Sequence, residues 1–161
     1  MMVTNSSSIV DEAVRECLLM QRVRVGVFID SENITYQYLQ LVMELANSLG
    51  DVVVAEGYCG EELKKSKNLS EHSEKNEVKI IGVEKKKNLK AEVDMRMNNR
   101  IGYFQGSGKV DIFIIVSSDS DFTDAIRSLR SEGMIVVGVG KSFTNSDHKK
   151  VCSVFYDLGP K

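Results

Sequence analysis

The chain has 161 residues, of which 42% are hydrophobic and 27% charged, and a formal net charge of -2 at neutral pH. That is the size of one ordinary domain with enough apolar content to bury a core, which argues against a disordered or fibrous chain. The charge balance provides no global attraction to a polyanion, so any binding to nucleic acid must come from local patches or bound cations. Cys17, Cys59 and Cys152 lie far apart without CxxC spacing, which suits small core positions in a reducing compartment. No stretch approaches the roughly 20 apolar residues of a membrane helix, and the N-terminus lacks a basic-then-apolar signal profile. The expectation is a cytoplasmic protein with no membrane contact.

In chain order, a polar start gives way to Ile9, Val10, Ala13, Val14, Cys17, Leu18 and Leu19 at helical spacing from about Asp11. This helix reads as an appendage whose apolar stripe can pack on the sheet or on a second copy of the chain, as a homodimer. Val23 to Asp30 is the first strand, ending on a carboxylate, and Ile34, Tyr38, Leu41, Val42 and Leu45 form the next helical stripe, ending near Gly50. A short strand is expected at Val52 to Ala55, closing at Gly57 with Tyr58, then a solvated helix over Glu61 to Ser73 and a strand at Val78 to Val83. A lysine-rich segment, EKKKNLK, leads to an apolar helix face of Val93, Met97, Ile101 and Phe104, with Asp94 in its first turn and Gln105 to Gly108 closing it. Ile112 to Val116 is apolar throughout, the pattern of a strand buried on both faces at the centre of a parallel sheet. It breaks into Ser117, Ser118, Asp119, Ser120 and Asp121, then an amphipathic helix through Phe122, Ala125, Ile126 and Leu129. Met134 to Val139 and Val151 to Tyr156 are the last strands. Alternating strands and helices imply a single α/β domain, a mainly parallel central sheet with helices on both faces.

Asp30, Asp119 and Asp121 all follow apolar strands, so they converge at one sheet edge if the first and central strands are neighbours. That edge, where the crossover direction reverses, is where open α/β sheets place ligands. Asp94 can face the same cleft. Several carboxylates a few ångströms apart repel one another, and a divalent cation with hard oxygen ligands removes the conflict. Magnesium or manganese there would serve phosphodiester hydrolysis. Each aspartate also has a plainer explanation: Asp119 or Ser118, and Asp30 or Ser31, can cap the helices that follow, and Asp94 suits a helix dipole. Three strand-end acids together with Asp94 favour the metal site.

FIDSEN at Phe28 to Asn33, VD at Val93 to Asp94, and VSSDSDF at Val116 to Phe122, followed by an apolar helix and the strand after Gly133, resemble the signature blocks of the NYN domain. That group belongs to the PIN-like nucleases and includes the LabA-like proteins of bacteria. The resemblance spans about Val23 to Leu158, leaving residues 1–22 as an N-terminal tail and helix before a nuclease domain at 23–161. It implies a Rossmann-like PIN fold and a metal-dependent endoribonuclease acting on RNA. Asp30, Asp94, Asp119 and Asp121 would be both catalytic and metal-binding, using Mg2+ or Mn2+. Asn33 and Ser117 match the family's polar positions beside those acids, where they would orient a water or contact the scissile phosphate.

The sequence departs from that pattern at Asn98 and Asn99, where a further aspartate is frequent, and at Ser118, where a glycine is frequent. An amide can still offer an oxygen to a metal, its waters or the substrate, but it removes a negative charge. Lys85, Lys86, Lys87 and Lys90 lead into the Asp94 helix, and Lys141 emerges at the carboxyl edge, where it could neutralise a phosphate. Lysine runs are more commonly solvated loops, so these are secondary candidates. Tyr58 and Tyr103 could stack on bases, although a tyrosine near glycines more commonly packs. His72 and His148 have no metal-ligand spacing. Two alternatives stay open: a non-catalytic RNA-binding or regulatory module, favoured by Asn98 and Asn99, and a phosphatase or phosphotransferase, which the lack of a second aspartate two residues after Asp30 disfavours.

Overall fold

The computed structural model describes residues 4–20, 22–84 and 87–160. Its elements are α1 (Thr4–Met20), β1 (Arg24–Asp30), α2 (Leu39–Leu49), β2 (Asp51–Gly60), α3 (Glu61–Lys64), α4 (Lys67–Lys75) and β3 (Lys79–Val83). They continue with α5 (Leu89–Ser107), β4 (Ile112–Val116), α6 (Thr123–Ser131), β5 (Ile135–Gly140), α7 (Ser146–Val151) and β6 (Val154–Asp157). The six strands form one sheet in the order β3-β2-β1-β4-β5-β6, and every pairing is parallel. The first half of the chain winds outward from β1, the second half outward from β4, and the winding direction reverses between them. This is the doubly wound arrangement that the alternation of elements implies.

The sheet is covered on both faces, and strand parity decides which side chain meets which layer. Val25, Val27 and Ile29 of β1 and Ile112, Ile114 and Val116 of β4 point into one layer, with Leu39, Val42 and Ala46 of α2. Phe28 of β1 and Phe113 and Ile115 of β4 point into the other, with Val93, Met97 and Ile101 of α5 and Ile126 and Leu129 of α6. Phe28 stacks on Phe113 with ring centroids 5.9 Å apart. By the same alternation, Asp30 and Ser117, one step past the paired Ile29 and Val116, face the α5 and α6 side.

Several boundaries differ from the sequence reading. The first helix starts at Thr4 rather than about Asp11, because serine, threonine and asparagine carry no apolar period yet do not prevent a helix. Its Ile9, Val10, Val14 and Leu18 are exposed. The strand expected at Val52 to Ala55 continues to Gly60. Glu56 breaks the apolar run but is buried, holding Arg100 at 2.9 and 3.1 Å and accepting from the Tyr58 hydroxyl at 3.0 Å. Tyr58 itself is fully buried, so it packs and stacks on no base. The charged helix over Glu61 to Ser73 is two helices, interrupted where Ser66 caps α4 by accepting from the Leu69 N–H. The strand expected over Val151 to Tyr156 begins only at Val154, after α7. Lys85 and Lys86 lie outside the described residues. Among the described residues no helix is long and apolar enough to cross a membrane.

Phe113 sits at the centre of the layer beneath α5, fully buried. Phe113→Ala is expected to destabilise the fold by about 3–5 kcal/mol. Urea unfolding should show a lower midpoint with an unchanged slope; a loss under about 1 kcal/mol would mean that the two packing layers are not as assigned.

Candidate metal centre

The register between β1 and β4 builds the first part of the site. It sets Asp30 level with Ser117, whose hydroxyl donates to Asp30 Oδ2 at 3.0 Å. The Asn33 amide donates to the same oxygen at 2.8 Å. Asp30 is 1% exposed, and its other oxygen, Oδ1, is buried with no hydrogen-bond partner. A buried carboxylate oxygen left unpaired is costly, so this atom fits a cation or a bound water. Burial is the main cause that raises the Asp30 pKa, and the Asn33 and Ser117 hydrogen bonds oppose it.

The turn after β4 supplies the second part. Ser117 Oγ accepts from the Asp119 N–H at 3.0 Å, and Asp119 Oδ1 accepts from the Asp121 N–H at 2.9 Å, which caps the short 3-10 turn Ser120–Phe122. The capping explanation is therefore correct for one oxygen of Asp119. Its Oδ2 faces Lys90, whose ammonium lies 3.0 Å away and 3.6 Å from Asp121 Oδ2. The Ile34 N–H bonds the Asp30 carbonyl at 2.9 Å, and the buried Ser31 hydroxyl has no partner, so Ser31 does not cap.

The third part comes from α5. The helix begins at Leu89, capped by Asn88, so Asp94 lies in its second turn rather than its first. It is 7% exposed beside Val93. A favourable dipole position no longer explains it. Asp94, Asp119 and Asp121 each offer an oxygen within 4.8 Å of the others. Asp94 shares a cleft of about 240 Å³ with Asp30, Glu32, Asn33, Leu89, Lys90 and Val93. Burial first, then repulsion from Asp119, pushes its pKa up to about 7, while Lys90 acts in the opposite direction. Three carboxylates grouped this way, in a cleft also lined by Asp30 with its unpaired oxygen, fit a divalent cation.

Other sequence candidates are placed differently. Asn98 follows Asp94 by one helical turn and is half-buried, whereas Asn99 is exposed and lines a separate groove with Gly82, Glu92 and Arg96. Lys141 reaches the carboxyl edge but is 6% exposed, its ammonium donating to the Tyr38 hydroxyl and lying 4.0 Å from that ring's centroid. Tyr103 is exposed on α5, with the Arg100 guanidinium 5.4 Å from its ring. His148, set aside for its lack of metal-ligand spacing, is fully buried and feels the charge of Asp119. Its Nδ1 pairs with Thr123 Oγ1 at 2.9 Å, Nε2 has no partner, and burial lowers its pKa. The signal was faint, a histidine four residues before Cys152 on one face of a short helix.

Raised carboxyl pKa values mean that the folded state binds protons more tightly than the unfolded chain. The contribution of Asp94 to stability is thus greatest below its ordinary value of 3.8 and is lost as pH rises through about 7. Solvent at the cleft mouth screens the effect to about 1 kcal/mol. In EDTA, Asp94→Asn is expected to raise Tm by about 2–4 °C at pH 8, by roughly a third of that at pH 5, and hardly at all near pH 3.8. Equal shifts at all these pH values would show that charge repulsion is not the cause.

No curated protein matches the chain. A solved structure that it resembles is the 2.2 Å crystal structure of a "putative UDP-N-acetylglucosamine 2-epimerase" from Listeria monocytogenes, at 13% identity and a TM-score of 0.54. The alignment covers 84% of this chain and 38% of that one, and the likeness concerns the fold alone. The family model that matches is the NYN domain, over residues 24–159, from the first residue of β1 to just past β6. With the fold and the acidic cluster in place, the match across nearly the whole chain shows that this protein belongs to the NYN domain family.

Proposed function

We propose that the chain is a metal-dependent endoribonuclease that hydrolyses RNA phosphodiester bonds at Asp30, Asp94, Asp119 and Asp121. The observation that carries this reading is the grouping of Asp94, Asp119 and Asp121 within 4.8 Å of one another, with Asp30, one of whose oxygens is buried and unpaired, lining the same cleft as Asp94. Membership of a nuclease-like family supports it.

Asp94, Asp119 and Asp121 would hold Mg2+ or Mn2+, with Asp30 Oδ1 as a further donor, directly or through water. The cation, when bound, supplies Lewis-acid polarisation of a phosphate and a more acidic water. The chain's own residues orient. Ser117 and Asn33 fix Asp30 by occupying Oδ2, and Ser117 also ties Asp30 to the Asp119 backbone, so the two acids move as a unit. The cleft is open, as a polymeric substrate requires. A cytoplasmic location fits the free state of Cys17, Cys59 and Cys152. A second reading, a module that binds RNA without cleaving it, is favoured by Asn98, a neutral amide one turn from Asp94 where another acid would strengthen cation binding.

The test is cleavage of an unstructured RNA and a stem–loop RNA with Mg2+ or Mn2+, beside EDTA and Asp119→Asn controls. Cleavage is expected only with metal. Asp119→Asn should lower it on the order of a hundredfold or more, with the folded state retained by circular dichroism. Full activity in that variant would reject the site, and RNA binding without cleavage in the wild type would select the second reading.

A further inference from the structure

Lys90 stands where a cation is locally unfavourable. It lies in the first turn of α5, at the positive end of the helix dipole. Its ammonium nevertheless leans onto the acidic cluster, 3.0 Å from Asp119 Oδ2 and 3.6 Å from Asp121 Oδ2. The side chain is 63% exposed, so it can swing into solvent without opening the core. No hydrogen bond or ion pair joins it to Asp30, whose Oδ1 is left with no partner. The ammonium thus compensates the two acids at the rim and leaves the buried one unserved. A doubly charged ion with several coordination positions can serve both.

We infer that Lys90 is the built-in counter-ion of this site, neutralising Asp119 and Asp121 until a divalent cation displaces its ammonium toward solvent. The inference rests on the metal-binding reading above and adds a regulation to it. Lys90 weakens metal binding by competition, which moves half-loading of the site to a higher cation concentration, and in the unloaded protein it relieves repulsion among the acids.

The experiment is a Mn2+ titration of the wild type, Lys90→Met, Lys90→Arg and Lys87→Met, followed by calorimetry and by thermal unfolding. Lys87→Met makes the same change in net charge three residues upstream, at an exposed position. Lys90→Met is expected to bind Mn2+ about threefold to tenfold more tightly, the range that an exposed ion-pair network supports. It should also unfold at a lower temperature than wild type in EDTA. Lys90→Arg should stay near wild type in both measurements, and Lys87→Met should change neither. Unchanged or weaker Mn2+ affinity in Lys90→Met would overturn the inference, as would equal tightening in Lys87→Met. Absence of Mn2+ binding in all four proteins would instead remove the metal reading and this inference with it.

Discussion

The parallel pairing of β1 with β4 is the constraint from which the site follows. Near the amino ends of these strands, Arg24 grips Asp111 through its backbone N–H, Nε and Nη2 at 2.9 to 3.1 Å. A fork of this kind tolerates little sliding. Five paired positions later the register delivers Asp30 and Ser117 side by side. A slip of one residue would reverse every side chain on β4, placing Phe113 in the wrong layer and Ser117 on the wrong face. Packing of the two core layers therefore fixes the register, and the register fixes where the acids meet.

Electrostatics then oppose packing. Asp30 and Asp94 are buried where water solvates their charge poorly, Asp30 more completely than Asp94, and both are pushed toward the protonated form. The structure relieves this only in part. Hydrogen bonds satisfy one oxygen of Asp30, a backbone N–H satisfies one oxygen of Asp119, and Lys90 offsets charge at the rim. Glu56 is a useful contrast. Equally buried, it has Arg100 on both oxygens and the Tyr58 hydroxyl as well, so it is a closed structural pair with no capacity left for a ligand. The difference between a paired buried acid and an unpaired one separates scaffold from candidate site here.

Much of this was legible in the chain because the relevant signals are local. Ile112 to Val116 could only be an interior strand, and an aspartate just past such a strand lies at the carboxyl edge. Asp30 and Asp119 were therefore readable from period and position. Asp94 was read as able to face the same cleft, but local pattern also let it pass for a dipole-stabilised residue of a first turn, because the helix starts earlier than the apolar stripe suggests. Glu56 hid the end of β2 because its partner is 44 positions away. His148 and Lys90 depend on contacts across 25 and 29 residues, with Thr123 and Asp119 respectively, and no periodicity encodes those. Adjacent Asn98 and Asn99 looked equivalent, yet the 100° step of a helix separates their faces.

The placement of Asp94 has a consequence for how the site assembles. Helix α5 is the crossover that leaves β3 at one edge of the sheet and returns to β4 at its centre, so it joins the two halves of the doubly wound fold. Its Val93 and Met97 pack on Phe28 and Phe113, one from each half. Asp94 stands beside Asp119 only where β1 and β4 are paired and α5 is docked across them. The repulsion among the acids is therefore opposed by the same packing that closes a core of buried valine, isoleucine and phenylalanine beneath them. Apolar burial thereby holds an unfavourable cluster of charges in the fixed geometry that a cation site requires.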